Sequence, residues 1–138
     1  MKIHTTNYTN TLIAVAEDSP ALTAQVPPVK EGKTTVANLQ FELLSKKPYR
    51  YTSDDVLFLC HAQKLDLSPG EMDAEREKLF SKGQACLRAS PLSKRYGWGT
   101  HHNAEGKVAL VAMDSDEYKH MLHDKKLAHV KAMRSKRA

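Results

Sequence analysis

The run Thr11-Leu12-Ile13-Ala14-Val15-Ala16 is the first place where β-forming residues accumulate, and Glu17-Asp18-Ser19-Pro20 closes it. A strand over 11–16 is predicted. From Pro20 to Lys33 three prolines and a glycine interrupt any apolar period, so this stretch reads as a long surface connection, extended at Pro27-Pro28. The positions Val36, Leu39, Phe41, Leu43 and Leu44 then return at helical offsets, with Thr34 or Thr35 as the cap and Pro48 as the stop. Part of that run also fits strand alternation.

Two better-marked helices follow. Ser53-Asp54-Asp55 supplies a cap and first-turn carboxylates, which the positive end of a helix dipole favours, and Val56, Leu57, Leu59 and Cys60 carry the pattern towards Leu65. Ser68-Pro69-Gly70-Glu71 combines a capping Ser, a first-position Pro and a Glu three residues after the Ser. That helix is expected to run to about Lys82, with Gly83 ending it. Beyond it the pattern turns to strands over 85–88, 96–101 and 107–113, the last two joined by a hairpin at Asn103-Ala104-Glu105-Gly106. Ser115 caps a helix through about His123, and Leu127, Val130 and Met133 give a last apolar turn or a short edge strand. The expected fold is α+β: one domain over residues 1–138, an antiparallel sheet with residues 84–113 at its core, packed against helices, and a basic C-terminal tail over about 131–138. An exposed strand edge in such a sheet is able to pair two copies.

Charge changes this picture in one half only. Residues 1–69 hold seven basic and seven acidic side chains, whereas 70–138 hold fourteen and nine and so carry the whole net charge of +5. Such asymmetry marks either an anion surface or a solvated tail. The richest segment runs from Phe80 to His102. Lys82, Arg88, Lys94 and Arg95 surround the turn Ser90-Pro91-Leu92-Ser93, and the single Trp follows in Tyr96-Gly97-Trp98-Gly99. Cations beside hydroxyls, an aromatic ring and glycines that permit close backbone approach form a plausible seat for an anionic or nucleotide-like ligand. Arg88, Ser90, Ser93, Lys94, Arg95, Tyr96 and Trp98 are therefore the candidate ligand-binding residues. Trp98 reads better still as a core anchor, since Trp is usually largely buried.

Catalytic chemistry is less well marked. Cys60 and Cys86 sit in apolar runs without metal-ligand spacing, as reduced core thiols do. Cys86 near Arg88, with His101 or His102, frames an alternative: a small enzyme with a His/Cys or metal-assisted site. Adjacent His101 and His102 point to opposite faces of a strand. His120 and His123 are placed to meet His4 or Asp124, but zinc requires three or four converging ligands and no His-Glu-x-x-His unit accompanies them. No metal and no cofactor is expected. Nucleic acid is a weaker partner class, because none of its recognition motifs is present. No apolar run approaches the roughly 20 residues that cross a bilayer, and no secretory pattern opens the chain, so no membrane partner and a cytoplasmic location are expected.

Several blocks resemble a family of small proteins grouped as a domain of unknown function. They are His4-Thr5-Thr6-Asn7-Tyr8, Ala16-Glu17-Asp18, Pro27-Pro28, Ala37-Asn38-Leu39-Gln40-Phe41 and Tyr51-Thr52-Ser53-Asp54-Asp55-Val56-Leu57-Phe58. The series continues through Ser90-Pro91 to Trp98-Gly99 and ends at Lys131-Ala132-Met133-Arg134-Ser135-Lys136-Arg137. The resemblance spans nearly the whole chain. It implies no substrate, cofactor or catalytic residue, but it makes the Trp98 block and the basic end parts of one pattern. By element order alone the chain also resembles the YdhG-like and YjbR-like small α+β proteins, a likeness that carries no function.

Overall fold

The computed structural model describes residues 4–29 and 31–134, so the tail positions Lys136 and Arg137 lie outside the described residues. Four strands form one sheet: β1 (Thr11–Ala14), β2 (Trp98–His102), β3 (Val108–Ala112) and β4 (Ala128–Lys131), in the order β3-β2-β1-β4. Among the described residues five α-helices accompany it: α1 (Val36–Lys46), α2 (Ser53–Leu65), α3 (Met72–Phe80), which packs on α2, α4 (Pro91–Arg95) and α5 (Asp116–Leu122).

The α+β class expected from the pattern holds, but the sheet is mixed. β1 pairs antiparallel with β2 and parallel with β4, and β2 pairs antiparallel with β3. Residues 84–113 supply only β2 and β3; β1 occupies the interior of the sheet and is buried along its whole length, as an inner strand covered on both faces must be. The strand expected over 85–88 is absent. Leu87–Ala89 forms a 3-10 turn instead, closed by bonds from Ala89 and Ser90 N–H to the carbonyls of Cys86 and Leu87. Ser90 then caps α4, with Pro91 at its first position, which commits the preceding residues to a turn rather than a ladder.

Caps set the other helix starts. Thr35 and Asn38 form a reciprocal capping box on α1, and Thr52 with Asp55 does the same on α2, one residue ahead of the expected Ser53. Ser68 and Glu71 form the anticipated box, but it opens a 3-10 turn that leads into α3, which ends at Phe80 rather than near Gly83. The segment after α5 takes the edge-strand alternative as β4.

Alternation along β1 divides the core. Ile13 faces a cluster built from Leu39, Leu44, Val56, Leu87 and Leu92, whereas Ala14 faces Val111 and Tyr118 of α5. Helices α1, α2 and α4 thus cover one side and α5 the other. Tyr118 lies on Gly99, where a Cβ would come within 2.8 Å of its ring, and its hydroxyl accepts from Val15 N–H at 3.0 Å. Among the described residues no helix is long and apolar enough to cross a membrane.

Candidate functional site

The predicted site residues divide into two sets. Ser90 and Ser93 are buried, and their hydroxyls are spent inside the protein: Ser90 donates to Gln40 Oε1 at 2.5 Å and accepts from Leu92 N–H, while Ser93 donates to the Trp98 carbonyl at 2.6 Å. Trp98 is half-buried, tilted against Phe41 at 5.5 Å, and its ring N–H donates to the Gln25 carbonyl at 2.8 Å. With the bond from Gln25 N–H to the Tyr96 carbonyl, Trp98 and Tyr96 hold down the extended stretch that follows Pro20. Gly97 lets that stretch approach, because a Cβ there would lie 2.6 Å from the Thr23 carbonyl oxygen. The hydroxyls and glycines that suggested ligand contact therefore have internal partners.

Replacing Ser90 by alanine strands the buried Gln40 carbonyl oxygen and uncaps α4. The urea midpoint should fall by an amount equivalent to about 2 kcal/mol.

The cations behave differently. Lys94 is half-buried and Arg95 exposed in the last turn of α4. Among the described residues neither side chain takes part in an ion pair. Arg88 reaches the far end of the chain: its Nε donates to the Lys131 carbonyl at 2.7 Å, and its own carbonyl accepts from Met133 N–H at 2.7 Å. Lys131 pairs with Glu17, and Arg134 lies close enough to help hold the Glu17 carboxyl below its ordinary range, behind the larger effect of Lys131. Ala16 N–H bonds the Ser93 carbonyl, which places Glu17 beside the start of the Lys94-Arg95 turn. Lys131 and Arg134 thus lie by the Glu17 carboxylate, which has Asp18 as its neighbour, and Arg88 bonds the backbone of the same C-terminal segment. Sequence reading found Arg88, Lys94 and Arg95 in one segment and tied the basic end to it through the resemblance; in the fold the Lys131–Met133 backbone meets Arg88 beside the parallel pairing of β4.

The residues of the enzyme alternative are also located. The Tyr8 hydroxyl lies 3.4 Å from Cys86 Sγ, and the Tyr8 ring meets His102 edge-on at 5.5 Å. Burial, then the bond to Cys86, push the Tyr8 hydroxyl pKa up; Arg88 opposes the rise. His102 is fully buried, with Nε2 3.0 Å from the Thr100 hydroxyl and Nδ1 without a partner. Burial lowers its pKa to about 4, so its ring is neutral. His101 faces away and bonds the Tyr49 hydroxyl through Nδ1 at 2.7 Å. Cys60 is buried in the α2 core, which pushes its thiol up to about 11. His120 and His123 stand with Asp116 and Lys119 around an open depression of about 380 Å³, and His123 Nδ1 contacts the Lys119 carbonyl. Among the described residues no three His, Cys, Asp or Glu side chains are grouped to hold an ion.

A mixed four-stranded sheet with helices on both faces makes this an α+β protein. The chain belongs to a family described as "Family of unknown function (DUF6157)", which matches residues 3–138. No curated protein and no solved structure matches it. The likeness to the YdhG-like and YjbR-like groups is not shown.

Proposed function

We propose that this protein is a small non-enzymatic binding module for an anionic or nucleotide-like ligand, seated on the surface formed by Arg88, Lys94, Arg95, Lys131 and Arg134. The observation that carries this reading is the pair of bonds by which Arg88 fixes the Lys131–Met133 backbone, so that cations from opposite parts of the sequence share one rim. Arginine adds planar, paired donors suited to phosphate oxygens. Tyr96 and Trp98 contribute by shaping the ground beneath the cations rather than by stacking a base. A cytoplasmic setting agrees with two cysteines that stand as free thiols.

Titration calorimetry with ATP and pyrophosphate, and anisotropy with short RNA and DNA, each at low and high salt, test the reading. Binding should weaken at least about tenfold in an Arg88→Ala/Lys94→Ala variant, the scale of losing one charged contact. Nucleic acid as the ligand would show affinity falling steeply with salt, since neutralised phosphates release counterions. If none of these probes binds, the anion reading fails.

The alternative reading, a small enzyme, draws on the Tyr8–Cys86 bond beside Arg88. It requires Cys86 to react with a thiol reagent faster than an ordinary free cysteine, and faster than the shielded Cys60. A Cys86 that reacts no faster removes it.

A further inference from the structure

The side of the helical layer formed by α1 and α2 carries three recesses set end to end. The first, about 300 Å³, lies among Leu39, Leu43, Lys46, Lys47 and Tyr51 and touches Gln63. The second, about 160 Å³, shares Leu39 and Gln63 with it and adds Lys64. The third, about 220 Å³, shares Lys64 and extends to Val36, Leu57 and Leu79. On α1 the apolar lining falls at Val36, Leu39 and Leu43, three and four residues apart, which places it on one stripe of the helix.

Lysines predominate on the rim of this groove. Lys46, Lys47 and Lys64 line it, against Glu42, which Lys46 already pairs with at 3.1 Å. His61 at its far end has its carboxylate partner in Glu75, 3.7 Å away. An apolar floor between two helices with lysines along the margin fits a third helix whose buried face is apolar and whose flanks are acidic. Helix α1 has 11 residues, so it offers about 16 Å at 1.5 Å per residue, or three turns of a partner. We propose that the α1–α2 groove docks an acidic amphipathic helix of a partner protein, at a place separate from the Arg88 surface.

The probe is a fluorescein-labelled synthetic peptide of four turns, with Leu at helical i, i+3, i+4 and i+7 positions and Glu on both flanks. Anisotropy is measured with the full-length protein. Saturable binding is expected, weakened at least about tenfold by the surface variant Lys47→Glu/Lys64→Glu and unchanged by Arg88→Ala/Lys94→Ala. A peptide with Lys in place of Glu should prefer the Lys47→Glu/Lys64→Glu protein. Circular dichroism confirms that each variant is folded. Absence of binding at millimolar protein, or binding indifferent to Lys47→Glu/Lys64→Glu, overturns the proposal. Sedimentation supplies the other decisive result: self-association abolished by a Leu43→Glu variant would make a second copy of this chain the occupant and overturn it equally.

Discussion

Replacing Gly97 by alanine should lower stability by about 3 kcal/mol and loosen the stretch that follows Pro20. Gly97 has φ +78, a left-handed conformation that costs an L-residue about 1–2 kcal/mol. An added Cβ would also lie 2.6 Å from the Thr23 carbonyl oxygen and 2.9 Å from Met113 Sδ. The Met113 side chain can turn aside, but the Thr23 carbonyl is backbone. Moving it strains the bonds at Ala24, to the Asp114 carboxylate, and at Gln25, to the Tyr96 carbonyl. The Trp98 ring N–H would then lose the Gln25 carbonyl and turn to water, so the Trp emission should shift to the red in the folded state. Gly83→Ala is the control, because a Cβ at that position would meet nothing within 4 Å and its φ is ordinary. That variant should stay within about 0.5 kcal/mol of the parent. Equal effects from both substitutions would show that Gly97 is not a contact point.

Acid should destabilise this protein through His102 by about 3 kcal/mol between pH 6.5 and pH 4. Burial depresses the folded pKa to about 4, against an ordinary value of 6.5. Between these values the unfolded chain binds a proton that the folded one does not, so unfolding gains with every step towards acid. The contribution is fully present above about pH 6.5 and is lost as the pH falls to about 4. The physical cause is the environment: a side chain with no exposure, Nδ1 without a partner, and the Tyr8 ring edge beside it. Urea unfolding at intervals from pH 7 to pH 4 should show the slope, and His102→Phe should flatten it. A profile in the variant as steep as in the parent would assign the acid sensitivity elsewhere.

Much of the architecture was legible because local chemistry repeats its signals. Thr35, Ser68 and Ser115 begin their elements as a capping residue does, and Asn103 to Gly106 closes the expected hairpin, with Gly106 at φ +78. The failure at 85–88 is instructive, since the overriding signal was present. Ser90-Pro91 has the same cap-and-proline form as Ser68-Pro69, which opens a 3-10 turn, and it starts α4 directly. The alternation of Cys86 and Arg88 pointed to a strand that this start forbids. The parallel partner of β1 could not be read, because a parallel pairing leaves no turn between the strands to announce it. The site suffers from the same cause. Arg88 and Lys94 are neighbours in sequence and the resemblance joins the basic end to their block, but the bonds between Arg88 and the Lys131–Met133 backbone depend on that pairing. Strand alternation put His101 and His102 on opposite faces, but that His102 is the buried one follows only from the packing of Tyr8 and Thr100 around it.

The position of β1 also bears on how the chain reaches this state. Its two partners, β2 and β4, come late in the sequence, and the register Thr11↔Ala128 joins positions separated by almost the whole chain. The helices between them can form early from local contacts, but the inner strand of the sheet has to wait. Closure of so long a loop is an entropic cost that precedes its reward, so the barrier to folding is set by topology rather than by helix formation. Until residues 128–131 emerge during synthesis, Leu12 and Ile13 lie on a strand with an open side, the kind of edge that pairs with other chains. A protein of this design is most exposed to aggregation while it is being made.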